Sequence, residues 1–564
     1  MRHIFIILIS FLIPFVGLRA QPKREVRAVW LTTAYGLDWP STRAVTPLGV
    51  KKQKAELCRI LDELQKANFN TILFQARIRG DVIYPSAIES YNEILTGRSG
   101  KSPGYDPLAF AIDECHKRGM ELHAWIVSIP LGTAKHVRSL GAGSVTRKQP
   151  SICKQYQGEW FLDPGHPGTK EYLNRIVKEV VANYDVDGVH LDYIRYPDHP
   201  AAFPDKDTYR KYGKGLSLAV WRRENVTGIV RYIYQTVKSV KPWVKVSSSP
   251  IGKFRDTSRY SSRGWNGYHA VYQDAQGWLR EGIQDMLFPM MYFSGNQFYP
   301  FALDWQEQCN GRQIVPGLGV YFLHPSEKNW PLDEIERQIS FTRREGLAGQ
   351  AYYRAKFIMD NTKGILDELV CKYYPYPALT PAMTWLDSIA PGAPSQPTLQ
   401  EQYGEVSLNW SVSIDNDARR TPAYTVYASD TYPVDVNCAA NLIVTGLREN
   451  HYTYSYVYPD KRKRFFAVTA IDRYGNESEP LQFNSPGKPA VSHCDGKVLY
   501  LPPLPDARFV TVTDISGRCV LHVPYSQNVL LEEKLSQGTY RILITNDREI
   551  IRDYIVLLQS IYAR

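Results

Sequence analysis

The sequence predicts an α/β chain: a (β/α)8 TIM barrel followed by two small all-β sandwich domains. Eight short apolar stretches recur with helical stretches between them, an alternation that points to a parallel barrel. After Pro375 the helical periodicity stops and short alternating stretches replace it. At 564 residues the chain also exceeds one ordinary domain.

Met1-Arg2-His3 precedes an apolar run from Ile4 to Leu18 that ends at Arg19-Ala20. A basic start, a short apolar region and a small final residue predict a secretory signal peptide over 1–20. The run is too short for a membrane span, which takes about 20 apolar residues. No Cys follows the cut, so no lipid anchor of the lipoprotein kind is expected. The mature chain is expected to be exported: periplasmic, on the cell surface or secreted.

Within a barrel over 21–376, strands are expected at Arg27–Thr33, Thr71–Ile78, Glu121–Val127 and Gly188–Ile194, then at Lys245–Ile251, Asp285–Tyr292, Ile314–Tyr321 and Gly349–Ala355. A first helix near Gln53 to Lys66 places Leu57, Ile60, Leu61 and Leu64 on one face. The next is announced by Asp106 as N-cap and Pro107 at the first helical position, with Leu108, Ile112 and Cys115 inward. The segments Asp81 to Gly104, Ser128 to Gly168 and Gly252 to Gly277 are long loops rich in Tyr, Trp, Gly and Ser, enough to build a cleft for a polymer. Pro391-Gly-Ala-Pro394 reads as a linker. Val406–Trp410, Ala423–Tyr427, Phe465–Ile471 and the closing turn Asp472–Ser478 resemble a fibronectin type III module over 391–485. A last sandwich is expected over 487–564, where Asp514-Ile-Ser-Gly517 and Gly538-Thr-Tyr540 resemble turns in the C-terminal sorting domains of some Bacteroidetes secreted proteins.

The chemistry is expected at Asp187-Gly-Val-His-Leu-Asp-Tyr-Ile-Arg-Tyr-Pro197. Alternate side chains of a strand share a face, so His190, Asp192 and Ile194 point one way. Burying a His and an Asp without partners is costly, which predicts a polar cavity there. Asp192 stands near the strand's C-terminal end, where barrels carry their active sites. The same parity puts Gln75 and Arg77 together, aligns Glu121, His123 and Trp125, and brings Tyr292, Tyr321 and Tyr353 to the rim. With His190, Tyr193 and Arg195 these are candidate substrate contacts, forming a hydrogen-bonding and stacking cleft as sugars require.

Glycoside hydrolysis normally uses two carboxyl groups, one ionised and one held protonated. Asp192 is the first, and Asp38, Asp81, Glu89, Asp163 and Asp256 compete for the second. Asp81 is expected as a fixed hydrogen-bonding carboxylate and Glu89, on an outer loop, as the proton donor. Structural alternatives stand beside each: Asp192 pairing with Arg195, Trp125 as core, Asp163 capping the helix near Thr169, the tyrosines filling the wall.

Other chemistries fit less well. The chain has no G-x-S-x-G elbow, H-E-x-x-H helix or P-loop, and none of its eight cysteines forms a C-x-x-C pair. His123, His190 and Asp192 lack the close His-x-His spacing of a metal site, and Asp415-Asn-Asp417 lacks that of a calcium loop. Neither metal nor cofactor is expected. The net charge of +10 is spread along the chain, Lys461–Arg464 reads as a solvated hairpin, and an exported chain is not expected to bind nucleic acid. The expected partner is a polysaccharide.

At Arg27-Ala-Val-Trp-Leu-Thr32, Gly80-Asp-Val-Ile-Tyr-Pro-Ser86, Glu121-Leu-His-Ala-Trp125, Leu162-Asp-Pro-Gly-His-Pro167 and Asp187–Pro197, the chain resembles the bacterial glycosyl-hydrolase-like family ten, from about Arg24 to Tyr374. The resemblance implies an exported barrel glycosidase. Because the family includes an envelope enzyme that cleaves peptidoglycan glycan strands stripped of their stem peptides, it also implies an amino-sugar polymer. His190-x-Asp192 is similar to the fourth-strand Arg-x-Asp of amylase-type barrels, whose Asp is the nucleophile; His in place of Arg keeps that mechanism from carrying over. The rival expectation is a glycan-binding protein whose barrel has lost catalysis. A second carboxylate within about 10 Å of Asp192 separates the two.

Overall fold

The computed structural model describes residues 21–558 except 259–263, 403–404, 416–420, 456–464, 484–492, 495–497, 502–503, 505, 527, 531–537 and 547–548. The expected signal peptide, Lys461–Arg464 and most of Asp415–Asp417 lie outside the described residues.

Eight parallel strands form the barrel: β1 Val26–Leu31, β2 Thr71–Arg77, β3 Glu121–Val127, β4 Gly188–Asp192, β5 Lys245–Ser248, β6 Met286–Leu287, β7 in two pieces (Gln313–Ile314 and Gly317–Leu318) and β8 Gly349–Tyr352. They pair in chain order, and β1 closes on β8 from Val26↔Gly349 to Val29↔Tyr352. The broken β7 keeps both neighbours, with Val315 N donating to Leu287 O at 2.9 Å and Ala351 N to Pro316 O at 3.0 Å. All strands but β3 end earlier than expected, and β5, β6 and the first piece of β7 stop just before a proline. Pro250, Pro289 and Pro316 stand there, and proline offers no N–H to continue a ladder.

A helix follows each strand: α1 Pro47–Lys66, α2 Pro107–His116, α3 Pro167–Asn183, α4 Leu218–Val240, α5 Ala275–Arg280, α6 Tyr299–Glu307, α7 Leu332–Arg344 and α8 Ala355–Met359. Helix α1 starts earlier than its apolar face suggests, because Thr46 caps it by accepting from Gly49 N at 3.1 Å and Pro47 pre-sets its first turn. Asp106 caps α2 as expected, accepting from Leu108 N and Ala109 N. Inside the barrel Trp30, Leu73, Trp125, Met286, Phe288 and Val315 form an apolar plug. That plug makes the barrel a solid floor with a site on top, not a pore.

After the barrel a three-stranded sheet (Ser395–Gln402, Glu405–Ser411, His451–Ser455) faces a four-stranded one (Leu442–Leu447, Ala423–Ser429, Phe465–Ile471, Leu481–Phe483). Trp410 and Tyr424 meet between the sheets with ring centroids 5.3 Å apart. This sandwich, up to Leu481, belongs to one compact unit with the barrel. It sits at the strands' N-terminal ends, where Glu477 receives Lys23 at 2.6 Å and Arg24 at 3.3 Å and Arg473 reaches Asp185 at 2.5 Å. The second unit, from Gln482 onward with Thr431–Pro433, has its own core of Leu499, Val510, Val512, Tyr540, Ile542 and Ile544. Its sheets are three- and four-stranded.

The seam between β8 and β1 gives a direct test of closure. Gly349 has φ +145°, and an added Cβ would lie 2.0 Å from Val26 O. Gly349→Ala is expected to cost at least about 3 kcal/mol in urea unfolding, from overpacking against backbone plus a disfavoured φ. An unchanged midpoint would show that the seam can open without loss.

Candidate active site

The rim of the barrel holds a cavity of about 300 Å³ over the apolar plug, and Asp192 stands in its wall. Asp192 is the last residue of β4 and only 5% exposed. Its Oδ1 accepts from Ser249 Oγ at 2.8 Å and from Tyr193 N at 2.8 Å, and its Oδ2 from Trp125 Nε1 at 3.0 Å. Burial pushes its carboxyl above the ordinary range; the donors from Ser249 and Tyr193, the Arg195 charge and the Trp125 donor oppose the rise. Only an oxygen lone pair can answer an N–H or O–H aimed at it, so this arrangement suits the ionised form.

Strand alternation stops at Asp192. Tyr193 adopts φ +49°, which turns its amide back to Asp192 and breaks the parity. Ile194, expected beside Asp192, therefore packs in the outer core with Val189 and Leu191.

His190 lies below the cavity, not in its lining. Trp30 Nε1 can only donate, so His190 Nε2 accepts from it at 3.2 Å; the His190 proton then sits on Nδ1, 3.0 Å from Ser247 Oγ. Burial, with His123 nearby, holds this imidazole neutral. Both ring nitrogens are occupied, which leaves His190 no site for a metal and no contact with substrate. His123 is deeper still, bonded to Glu121 at 3.1 Å. Among the described residues no cluster of His, Cys, Asp or Glu is arranged to hold a metal.

Gln75, Trp125, Tyr193, Tyr292 and Tyr353 line the cavity with Asp192. Gln75 is fixed by its carbonyl oxygen, which accepts from Thr32 Oγ1, Thr33 N and Ala34 N at 2.7–3.0 Å. Its NH2 remains a placed donor. Tyr292 and Tyr353 lie 5.4 Å apart, and Tyr321 supports both from outside the lining at 5.7 and 5.8 Å.

Four other expected site residues are placed elsewhere. A bulge between Gln75 and Arg77 reverses the parity of β2. Arg77 therefore turns away from the cavity and donates to both oxygens of Glu89, at 2.8 and 2.7 Å, and to the carbonyl of Ser128 at 3.0 Å. Tyr172 adds a third bond to Glu89 at 2.6 Å. Glu89, 4% exposed, is thus a brace between loop and barrel, with neither oxygen facing the cavity. Asp81 is fully buried, held by Asn92 at 2.6 Å and Arg79 N at 3.1 Å, with burial raising its pKa to about 6. Arg195 pairs with Asp198 at 2.6 Å and covers the Tyr193 ring at 4.8 Å.

The remaining rim acids are engaged too. Asp38 binds Arg354 and the amides of Thr32 and Lys356. Asp163 holds Gly165 N and Thr208, and Asp256 pairs with Lys253 at 2.8 Å. Asp192 is the one carboxylate in the cavity lining among the described residues. Sequence reasoning did not single out Trp30, Tyr35, Arg79, Ser249 and Met290, which also line it. Trp30 was readable by parity on β1, and Ser249 by the parity it shares with Ser247.

The Arg77–Glu89 pair predicts that Glu89→Gln acts on stability. Removing the charge leaves a buried guanidinium uncompensated, a loss expected at about 3–5 kcal/mol. Turnover per folded molecule should change alike on glycans with poor and with good leaving groups. A selective loss on poor leaving groups, at unchanged stability, would restore Glu89 as proton donor.

The chain matches the family described as Glycosyl hydrolase-like 10 over residues 25–322. Glycosyl hydrolase YngK of Bacillus subtilis (strain 168) is 34% identical over 491 residues, spanning 83% of this chain and 94% of that protein. Glycosyl hydrolase DigH of Escherichia coli (strain K12) is 35% identical over 355 residues, spanning 57% of this chain and 80% of that protein. Among solved structures, the PgaB (BpsB) glycoside hydrolase domain from Bordetella bronchiseptica is similar over 62% of this chain and 99% of its own, at 14% identity and a TM-score of 0.42. With more than half its length in the family match and a relative similar over nearly its whole length, this chain belongs to the glycosyl hydrolase-like 10 family.

Proposed function

We propose that this chain is an exported glycoside hydrolase that cleaves an amino-sugar polymer, with peptidoglycan glycan strands as substrate and Asp192 as its ionised catalytic carboxylate. The setting of Asp192 carries the reading: a carboxylate held by three donors at the mouth of a closed barrel, beside aromatic faces. As a glycosidic bond lengthens, positive charge grows on the anomeric carbon and ring oxygen. A carboxylate already fixed by Trp125, Tyr193 and Ser249 meets that charge with little reorganisation. Trp30, Trp125, Tyr292 and Tyr353 offer apolar faces to a sugar ring, and Gln75 an amide donor to a hydroxyl. The family supports glycosidic bonds as the target, and the motif resemblance supports the amino-sugar polymer.

The rival reading is a glycan-binding protein without turnover. It is favoured by the absence of a second carboxylate from the cavity lining among the described residues.

Asp192→Asn separates the two. On glycan strands stripped of their stem peptides, the variant is expected to lose about 100-fold or more in kcat with an unchanged circular dichroism spectrum. Retention of more than about a tenth of wild-type kcat, or no wild-type turnover on any glycan tested, would leave the binding reading.

The raised ionisation of Asp192 gives a pH test. Acting as a carboxylate, Asp192 supports turnover above its own pKa, and activity falls as pH drops through that value. The acid limb of kcat/KM should thus lie above about pH 4, the range of an unperturbed Asp. Activity rising towards low pH would give Asp192 the role of the acid instead.

A further inference from the structure

The cavity over Asp192 has a neighbour across Tyr35. Tyr35, Ile78 and Arg79 line it on one side, and on the other they line a second hollow of about 450 Å³ across the loops after β2 and β3. Tyr35 is 79% exposed and has φ +56°. A bulky side chain in left-handed backbone costs about 1–3 kcal/mol, a cost commonly found at binding sites. Tyr35 borders both hollows.

The lining of the second hollow is cationic. Arg43, Arg79 and Lys135 face one acid, Glu93. Arg79 is shared with Glu159 at 3.2 Å, while no carboxylate pairs with Arg43 or Lys135 among the described residues. His136 is fixed by its Nε2 to the carbonyl of Arg79 at 3.0 Å, which steadies the wall between them. Two cations without a carboxylate partner among the described residues, in a hollow that shares Tyr35, Ile78 and Arg79 with a sugar-sized cavity, suit an anion carried on the same chain as the sugar.

We propose that this hollow is a second subsite that binds a carboxylate-bearing sugar of the same glycan chain, with Tyr35 stacking on the ring between it and Asp192. The inference rests on the glycan-hydrolase reading of Asp192 and adds the place and the residues that would read a carboxylate on the substrate. The carboxylate would be either a lactyl ether group or the C6 acid of a uronic sugar, since both present the same anion to Arg43 and Lys135.

The test compares wild type with the Arg43→Gln/Lys135→Gln double variant on stripped glycan strands bearing free lactyl carboxylates and on the same strands after amidation. Wild type should show a KM about tenfold lower for the free acid, and the double variant should lose that preference while its kcat and its KM for amidated strands stay within about twofold. Equal wild-type KM for the two strands, or a variant that raises both alike, would overturn the subsite. Should wild type cleave neither, the reading of Asp192 fails separately, and calorimetry on the same strands decides the subsite: tighter binding of the free acid, lost in the variant, supports it, and equal binding overturns it. Oligogalacturonate assigns the source: binding stronger than that of lactyl-bearing strands points to a uronic sugar, weaker to a lactyl group, and either must exceed binding of neutral chitooligosaccharides for the subsite to stand.

Discussion

A carboxylate withdrawn from water must be surrounded by donors, and the top of this barrel is arranged to supply them to Asp192. Each donor depends on a different part of the fold. Trp125 can present its N–H because its ring is packed in the barrel plug from β3. Ser249 reaches Oδ1 because β5 pairs with β4 in the register Ser248↔Leu191 and then runs one residue further. The third donor, Tyr193 N, points back only because the chain leaves the strand in a left-handed conformation. Closure of the barrel, the filling of its interior and a local backbone turn thus converge on one side chain.

The same constraint works in reverse for cations. Arg77 is wholly buried, and its guanidinium is answered by Glu89 and by backbone carbonyls. Since Glu89 lies on the long loop after β2, this pairing draws that loop down onto the barrel and fixes the segment that carries Arg79 and Asp81. At the opposite end, Glu121 is met by Lys245 and His123, and Asp187 by His116. Burial alone would raise the pKa of Asp187, yet His116 and Arg473 hold it low. The ion pairs that join barrel and sandwich therefore lie on the face remote from the cavity, where they bear on stability and leave the rim free for binding.

Much of the barrel was legible in the sequence because each strand is a short apolar run and each helix has a one-sided face. What the runs do not reveal is where hydrogen bonding stops, which Pro250, Pro289 and Pro316 set. Within the site, parity located Gln75, Trp125 and Asp192 correctly while the strands were regular. It failed one step past each irregularity: at Arg77 after the bulge in β2, and at Ile194 after the turn at Tyr193. Glu89 failed for another reason. A long side chain on an outer loop reads as free to move, and nothing local announces that Tyr172, 83 residues away, and Arg77 will occupy both its oxygens.

The acids that do not line the cavity still shape it. Asp38 accepts from the amides of Thr32 and Lys356 and pairs with Arg354, tying the segment after β1 to the segment after β8. Gln75 grips the same segment through Thr32, Thr33 and Ala34. Between those two anchors stands Tyr35, exposed and left-handed. Tyr193, which also lines the cavity, is likewise left-handed and is steadied by Asp192 and by Arg195 over its ring. Both residues line the cavity, and both hold a left-handed backbone. A glycine would relieve the backbone at either position and remove the aromatic face. The strain kept at Tyr35 and Tyr193 is therefore the cost of presenting aromatic side chains in the cavity that holds Asp192.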